Sequence, residues 1–411
     1  MINRKKVLIV SGVFYPEPIV SARLQTDLAG ELAKEYDVTV LRTKPSRPLG
    51  FKMPDYDCSI FPFHVVELDS FTSPESSLTG RFHESFSMGR RVCKYINAHH
   101  DEIDFVYNDA WHLFGNGQVA KACVKYNIPY ITPVQDLYPE SLVSKLPKIK
   151  ILNWLIMKTL MPLDLYNLNH ASLIHTNSLK LKEELMASRH LPDDKFVVVR
   201  NWQDEKEFIE YASNNGVQNE GGTPFTFMYL GNIGPLAGVD ILFDALRMAQ
   251  LPNARLVVAG SGSAKASLQE KASDFKDCDI EFWDVPIGKV PETQDKADVM
   301  CLPVKRGFAL SSIPSKLPAY MFSAKPVLAS VDKESDTAQC VLRAKGGWVA
   351  EPENAESIAN AMREAYGTEK NELVAMGKRG FDYSIFHFSR GQNLALLVKA
   401  CKDIIERKNN G

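Results

Sequence analysis

No stretch of this chain approaches the ~20 consecutive apolar residues that a membrane-spanning helix needs. Neither charge sign dominates, since 48 Lys and Arg face 50 Asp and Glu for a net charge of −2. The first lack argues against a spanning protein. The second argues against one that holds nucleic acid by bulk charge. Seven cysteines stand at positions 58, 93, 123, 278, 301, 340 and 401. Their number is odd and no pair has CxxC spacing, which speaks against a disulfide framework or a zinc site and suits a reducing, cytoplasmic compartment. The opening MINRKKVLIVSG has a basic start but only four apolar residues in its run, too few for a signal peptide. No G-x-G-x-x-G follows the first strand and no Walker A motif occurs, so a dinucleotide-binding dehydrogenase is not expected. Low-complexity tracts and short-period repeats are missing as well.

What is present is an ordinary globular balance, 45% hydrophobic and 24% charged over 411 residues, enough for two domains or three. Short apolar runs recur at Val7–Val10, Val38–Leu41, Phe105–Tyr107, Tyr130–Val134, Ser172–His175 and Phe196–Val199. Helix-period segments separate several of them; Leu24, Leu28 and Leu32 line one face of a helix over about 21–35. The stretch EYASNNGVQNEGGTPF, 210–225, is polar and aperiodic and reads as an interdomain hinge. Alternation then restarts, with strands at Phe225–Leu230, Arg255–Ala259, Ile280–Trp283, Val299–Pro303, Pro326–Ser330 and Gly347–Ala350. Helices are expected near 238–248, 264–273, 316–323, 355–366 and 392–408. The pattern predicts an α/β protein of two doubly wound domains with parallel sheets. Ligands of such sheets bind beyond the carboxyl ends of the strands, which points to a cleft between the domains.

Several strand exits carry candidate chemistry. Gly12 follows the first strand, and Ser21 is placed to cap the next helix. Gly12 is as well explained by a plain turn. Gly231-Asn232-Ile233-Gly234 closes the first strand of the second half, a loop whose N–H groups suit an anion. In SSIPSKLPAYMFSAKPV, 311–327, Ser315 is placed as a helix cap, Pro318 falls in the first turn and Lys316 lies beside the free N–H groups. Lys305 and Arg306 stand just upstream. Three cations between a strand end and a helix start favour phosphate over a merely well-capped helix. In PVQDLYPES, 133–141, Asp136 and Glu140 suit acid/base work or hydroxyl binding, or are a turn aspartate and a surface glutamate. Ser312 and Tyr320 lie within the same 311–327 stretch, and Arg23 lies in the first helix. KLPKIKILNWLIMKTLMPL, 145–163, has four lysines and no acid around Trp154. It fits a helix docked on a membrane surface or one buried against the first sheet.

The segments FYPEP, VQDLYPES, VVRNWQDEKEF, YLGNIGPLAGVDILFDAL, LVVAGSGS, ADVMCLPV, IPSKLPAYMFSAKPVLAS and GGWVAEPENAESIANAM occur in that order along nearly the whole chain. In this the sequence resembles glycosyltransferase family 4, the retaining GT-B enzymes, and within it the capsule and O-antigen branch that includes fucosamine transferases. The resemblance implies a GT-B architecture of two Rossmann-like domains facing a cleft. It places an acceptor-binding domain at 1–208, with a C-terminal helix at 390–411 packing back on it, and a nucleotide-sugar-binding domain at 222–389. It implies a hexosyl or N-acetylhexosaminyl transferase using a UDP-linked donor and a polyprenyl-diphosphate-linked glycan acceptor. Such an enzyme works in the cytoplasm or at the cytoplasmic face of the inner membrane, without nucleic acid. The donor set is then Gly231, Asn232, Ile233, Gly234, Val285, Lys305, Ser312, Ser315 and Tyr320. The acceptor set is Gly12, Glu17, Arg23 and Glu140, and the catalytic set Asp136, Lys316 and Arg306. No metal is expected: no Asp-x-Asp stands at a strand end, and pairs at that spacing such as Asp277 and Asp279 fall in a polar turn.

Two departures stand out. Many family members have two glutamates eight positions apart where this chain has Ser311 and Ala319, and the second usually grips the ribose. Asn232 and Ala237 replace the usual Arg and Lys of the glycine loop. They keep open a non-catalytic nucleotide-sugar-binding subunit; a sugar-nucleotide epimerase of the same architecture is a further alternative.

Overall fold

The computed structural model describes residues 4–74, 77–143, 146, 149–215, 224–234, 237–286, 288–309 and 313–407. The chain forms two compact units, 1–201 with 394–411, and 202–393. The first unit holds a sheet of β1 (Lys6–Ser11), β2 (Asp37–Arg42), β3 (His64–Glu67), β4 (Phe105–Asp109), β5 (Tyr130–Val134), β6 (Leu173–Thr176) and β7 (Phe196–Val198). The second holds β8 (Phe225–Leu230), β9 (Ala254–Ala259), β10 (Asp279–Trp283), β11 (Val299–Pro303), β12 (Val327–Ser330) and β13 (Gly347–Ala350). Their orders are β3-β2-β1-β4-β5-β6-β7 and β10-β9-β8-β11-β12-β13, with every pairing parallel.

Each order reverses once, between β1 and β4 and between β8 and β11. These are the switch points of a Rossmann-like winding, where adjacent crossovers leave on opposite faces and open a crevice. The central strands carry apolar side chains on both faces, so VLIV and FMYL are continuous rather than alternating. That is why they were legible in the sequence. β3 was not foreseen. It is a four-residue edge strand with exposed His64 and Glu67 at its ends, the short polar form that edges take.

Other differences are local. The first helix is Val20–Leu32, and its cap position is Ile19 with no side-chain bond, so Ser21 lies inside the first turn. The stretch expected to be a hinge divides differently. Its beginning belongs to the helix Lys206–Asn215 of the second unit, 216–223 lie outside the described residues, and Phe225 starts β8. The chain passes between units at Asn201–Trp202 and again at Asn393–Leu394, within the helix Arg390–Arg407. The 19-residue helix Lys370–Phe388 was missed, its period being interrupted by Gly377 and Gly380. Among the described residues, no helix is long and apolar enough to cross a membrane.

Candidate active site

At the second switch point the loops after β8 and β9 continue the pairing of their strands. Gly231 N–H donates to the Ala259 carbonyl (3.1 Å), Ile233 N–H to Ser261 (2.8 Å), and Ala264 N–H to Ile233 (3.0 Å). The two backbones lie too close for side chains. A Cβ on Gly260 would overlap the Gly231 carbonyl, and one on Gly262 that of Ile233. Both glycines also have positive φ, +124° and +155°. The Tyr229 hydroxyl donates to the Asn232 carbonyl at 2.6 Å. Ile233 is fully buried, so its side chain belongs to the core and only its backbone lines the loop. Asn232 is exposed and Gly234 half-buried.

Lys316 lies across this loop. Its stem runs so near Gly231 that any Cβ there would overlap its Cε, and its Nζ stands 5.6 Å from the Tyr229 ring centroid. Burial lowers the ammonium's pKa from the ordinary lysine value. Among the described residues it has no carboxylate partner and no hydrogen bond, so packing and the aromatic face hold it in place. Lys305 borders the same loop, its Cγ 3.7 Å from where a Cβ on Gly238 would stand.

Other expected donor residues are placed otherwise. Arg306 turns away: its guanidinium donates to Glu351 (2.8 Å) and the Pro352 carbonyl (3.1 Å), and its N–H to Glu353 (3.2 Å). Glu351 raises its pKa, and the catalytic expectation for Arg306 gives way to an ion pair. Tyr320 is fully buried; its hydroxyl accepts the Leu230 N–H (3.0 Å) and donates to the Leu230 carbonyl (2.8 Å). It fixes the end of β8 and has no donor capacity left for a ligand. Ser315 occupies the cap position of Lys316–Phe322 without a side-chain bond, so the expected hydroxyl cap is not formed. Val285 is half-buried and packs on the core. Ser312, like Ser311, lies outside the described residues.

At the first switch point Gly12 donates its N–H to the Asp109 carbonyl (3.0 Å) and accepts the Thr43 hydroxyl (2.9 Å). A Cβ there would stand 3.0 Å from the Trp111 ring. Glu17 is not open to an acceptor. One carboxylate oxygen takes Phe14 N–H (2.8 Å), the other takes Ser46 N–H (2.9 Å) and Arg47 N–H (2.7 Å), and the residue is buried. Glu140 is likewise committed, in a bidentate pair with Arg189 at 2.6 and 2.8 Å. Arg189 also holds Asp164 (2.9 Å) and the Tyr138 carbonyl (2.8 Å) and is itself buried. Arg189 draws the Glu140 carboxyl below its usual range against the opposing effect of burial. Arg23 is exposed beside a shallow depression that Tyr15 and Thr26 also line.

Asp136 caps its neighbour, accepting Leu137 N–H at 2.9 Å, and its charge favours the protonated form of His112, whose pKa burial lowers. His112 stacks on Tyr138 at 4.8 Å. The sequence reading missed His112, Trp111 and above all Asp109. Asp109 ends β4 at the switch point, accepts the Gln25 amide (2.7 Å), and burial pushes its carboxyl up to about 7. The available signal was NDAWH; the strand had been expected to stop at Tyr107, two residues short of it.

Comparison with known proteins bears on the fold and the class of protein. Residues 21–207 match the family model described as Glycosyltransferase Family 4, and 224–368 the model described as Glycosyl transferases group 1. A probable glycosyltransferase of Pseudomonas aeruginosa, WbjE, is 22% identical over 252 residues, which is 57% of this chain and 59% of the relative. The match thus spans little more than half of that relative's length. Among solved structures, Anabaena HepE in complex with UDP superposes with a TM-score of 0.67 at 15% identity, covering 97% of this chain and all of that one. Sucrose-phosphate synthase from Thermosynechococcus elongatus gives 0.71 at 13%, covering 98% and 100%. WaaG, a glycosyltransferase involved in lipopolysaccharide biosynthesis, gives 0.61 at 15%, covering 97% and 99%. The fold is that of GT-B glycosyltransferases, and the family matches in both units support a glycosyltransferase of this type.

Removing Arg189 leaves two carboxylates without their cation. Arg189→Met is expected to cost about 3–5 kcal/mol in urea unfolding. Asp109 is expected to show in the pH dependence. Its folded pKa of about 7 exceeds the ordinary 3.8, so its contribution is fully present below 3.8 and is lost as pH rises through 7. In Asp109→Asn that part of the slope disappears, as unfolding midpoints measured across this range will show.

Proposed function

We propose that this protein is a retaining transferase that moves a hexosyl or N-acetylhexosaminyl group from a UDP-linked donor to a lipid-linked glycan of the bacterial surface. Lys316 carries the reading: a partly buried ammonium without a carboxylate partner among the described residues, laid over a glycine loop at a switch point. An unpaired cation in such a place is suited to a diphosphate, and Lys305 adds charge at the same loop. The relatives support the donor class. HepE has been solved with UDP, with UDP and glucose, and with UDP-glucose. WaaG, a glycosyltransferase involved in lipopolysaccharide biosynthesis, supports a bacterial surface glycan as the acceptor class, of which a capsule or O-antigen chain is the narrower form. The fucosamine-transferring branch is the narrower form of this reading.

In the reaction the bond between the anomeric carbon and the diphosphate oxygen breaks, and its electron pair leaves with the diphosphate. Lys316 stabilises that charge as it develops, and the amides of the loop other than those of Gly231 and Ile233, which are bonded to the Ala259 and Ser261 carbonyls, face the phosphates. The acceptor oxygen bonds to the same carbon from the face the diphosphate leaves, and its proton passes to the departing oxygen. In the first unit Asp136, beside His112, is suited to orienting an acceptor hydroxyl. No metal takes part in this scheme, and turnover is expected to persist in a chelator. The reaction takes place at the cytoplasmic face of the inner membrane.

A thermal-unfolding screen against UDP, GDP and their sugars tests the reading. A ligand at ~100 times its dissociation constant adds about 2.7 kcal/mol. A stabilising shift with a UDP compound is expected, and Lys316→Met, which keeps the stem over Gly231 and removes the charge, is expected to abolish it. No shift with any nucleotide would overturn the donor site. Nucleotide binding without turnover on any lipid acceptor would point instead to a non-catalytic subunit. Ala319 motivates that second reading, because it is buried where the family's ribose-gripping glutamate would stand.

A further inference from the structure

The helix Lys150–His170 is not buried against the first sheet over its first half. Ile149, Ile151, Trp154 and Leu155 are 51%, 77%, 58% and 55% exposed. Its inner face, Ile156, Leu160 and Leu163, packs on Phe82, Leu113 and Phe114. The exposed face is therefore a second apolar stripe, which a soluble surface rarely leaves contiguous. Lys158 lies over the Trp154 ring at 4.8 Å, and Lys150 is exposed at the helix start.

The helix Leu78–His99 repeats the arrangement. Exposed Phe86 meets the Phe114 ring at 6.4 Å, which joins it to the same cluster, and Arg90 lies 6.0 Å from the Phe86 ring centroid. Each helix contains a single carboxylate, and in each it points inward to an arginine: Glu84 to Arg47 at 2.7 Å, Asp164 to Arg189 at 2.9 Å. The charges these two helices present to solvent are thus cationic only, on a chain whose net charge is −2.

We infer that this face of the first unit docks on an anionic lipid bilayer. Ile151, Trp154 and Leu155 enter the headgroup–acyl boundary while Lys150, Lys158 and Arg90 meet lipid phosphates. Trp and Lys suit that boundary because each has an apolar body and a polar end. A water-soluble protein partner would find no carboxylate on these two helix faces to set its orientation, whereas an anionic membrane complements them as they stand. The inference does not require transferase activity, and its test uses no sugar nucleotide.

The full chain is sedimented with phosphatidylcholine vesicles, with and without phosphatidylglycerol, over a range of salt. Recovery with the anionic vesicles is expected, weakening with salt. The double variant Ile151→Asp with Leu155→Asp, checked for an unchanged unfolding midpoint, is expected to lower the partition at least about tenfold. Lys150→Gln, Lys158→Gln and Arg90→Gln together are expected to flatten the salt dependence. The inference is overturned if the unaltered chain stays in solution, or if the aspartate variant sediments equally well. It is also overturned if that variant's main effect is to dissociate a dimer detected by mass without vesicles.

Discussion

The candidate donor site rests on a backbone pairing that outlasts its strands. β8 and β9 keep exchanging hydrogen bonds through Gly231, Ile233, Ser261 and Ala264, and they do so only because Gly260 and Gly262 carry nothing that would separate the chains. The part of the loop so formed is thin and tied by hydrogen bonds to the loop after β9. Tyr229 and Tyr320 clamp it from below, at the Asn232 carbonyl and at both backbone groups of Leu230. Lys316 needs the bare surface of Gly231 to lie where it does. Preorganisation of this kind matters for catalysis, because groups already fixed need not reorganise when charge develops.

The first unit uses its carboxylates differently from what their positions suggest. Glu17 and Glu140 are integral to the fold: one gathers three backbone N–H groups, the other anchors a buried arginine. Carboxylates whose oxygens are already bonded in this way stabilise loops and have little left for a substrate. The candidate acids that remain are those at strand exits, Asp109 and Asp136. They differ in kind, since Asp109 is held near neutrality by burial while Asp136 keeps a neighbouring histidine more basic than burial alone would.

How much of this was legible follows from the range of each interaction. Strand identity is local, so apolar runs such as Val7–Val10 and Phe225–Leu230 announced themselves, and with them the two sheets. Lys316 was legible because a cation between a strand end and a helix start is a local pattern. Its cause was not: the seven-residue helix contributes no hydroxyl cap, and Gly231, far away in sequence, gives the lysine its bed. The fate of Glu17 depends on a loop thirty residues on, and that of Glu140 on an arginine 49 residues on. No spacing rule reaches so far. Asp109 was missed for another reason, since its character comes from burial, which a sequence does not display.

The path of the chain has a consequence in time. The helix that begins at Arg390 completes the first unit, burying Leu397, Cys401 and Ile405 and receiving the Lys5 ammonium on the Ile405 carbonyl at 2.9 Å. A ribosome releases that helix only after every residue of the second unit. The strand β1 thus belongs to a unit that cannot close until synthesis has passed through the whole of another. During that interval the apolar surface destined for Leu397 and Ile405 stands open, and the nascent first unit is a natural client for whatever holds unfinished chains apart.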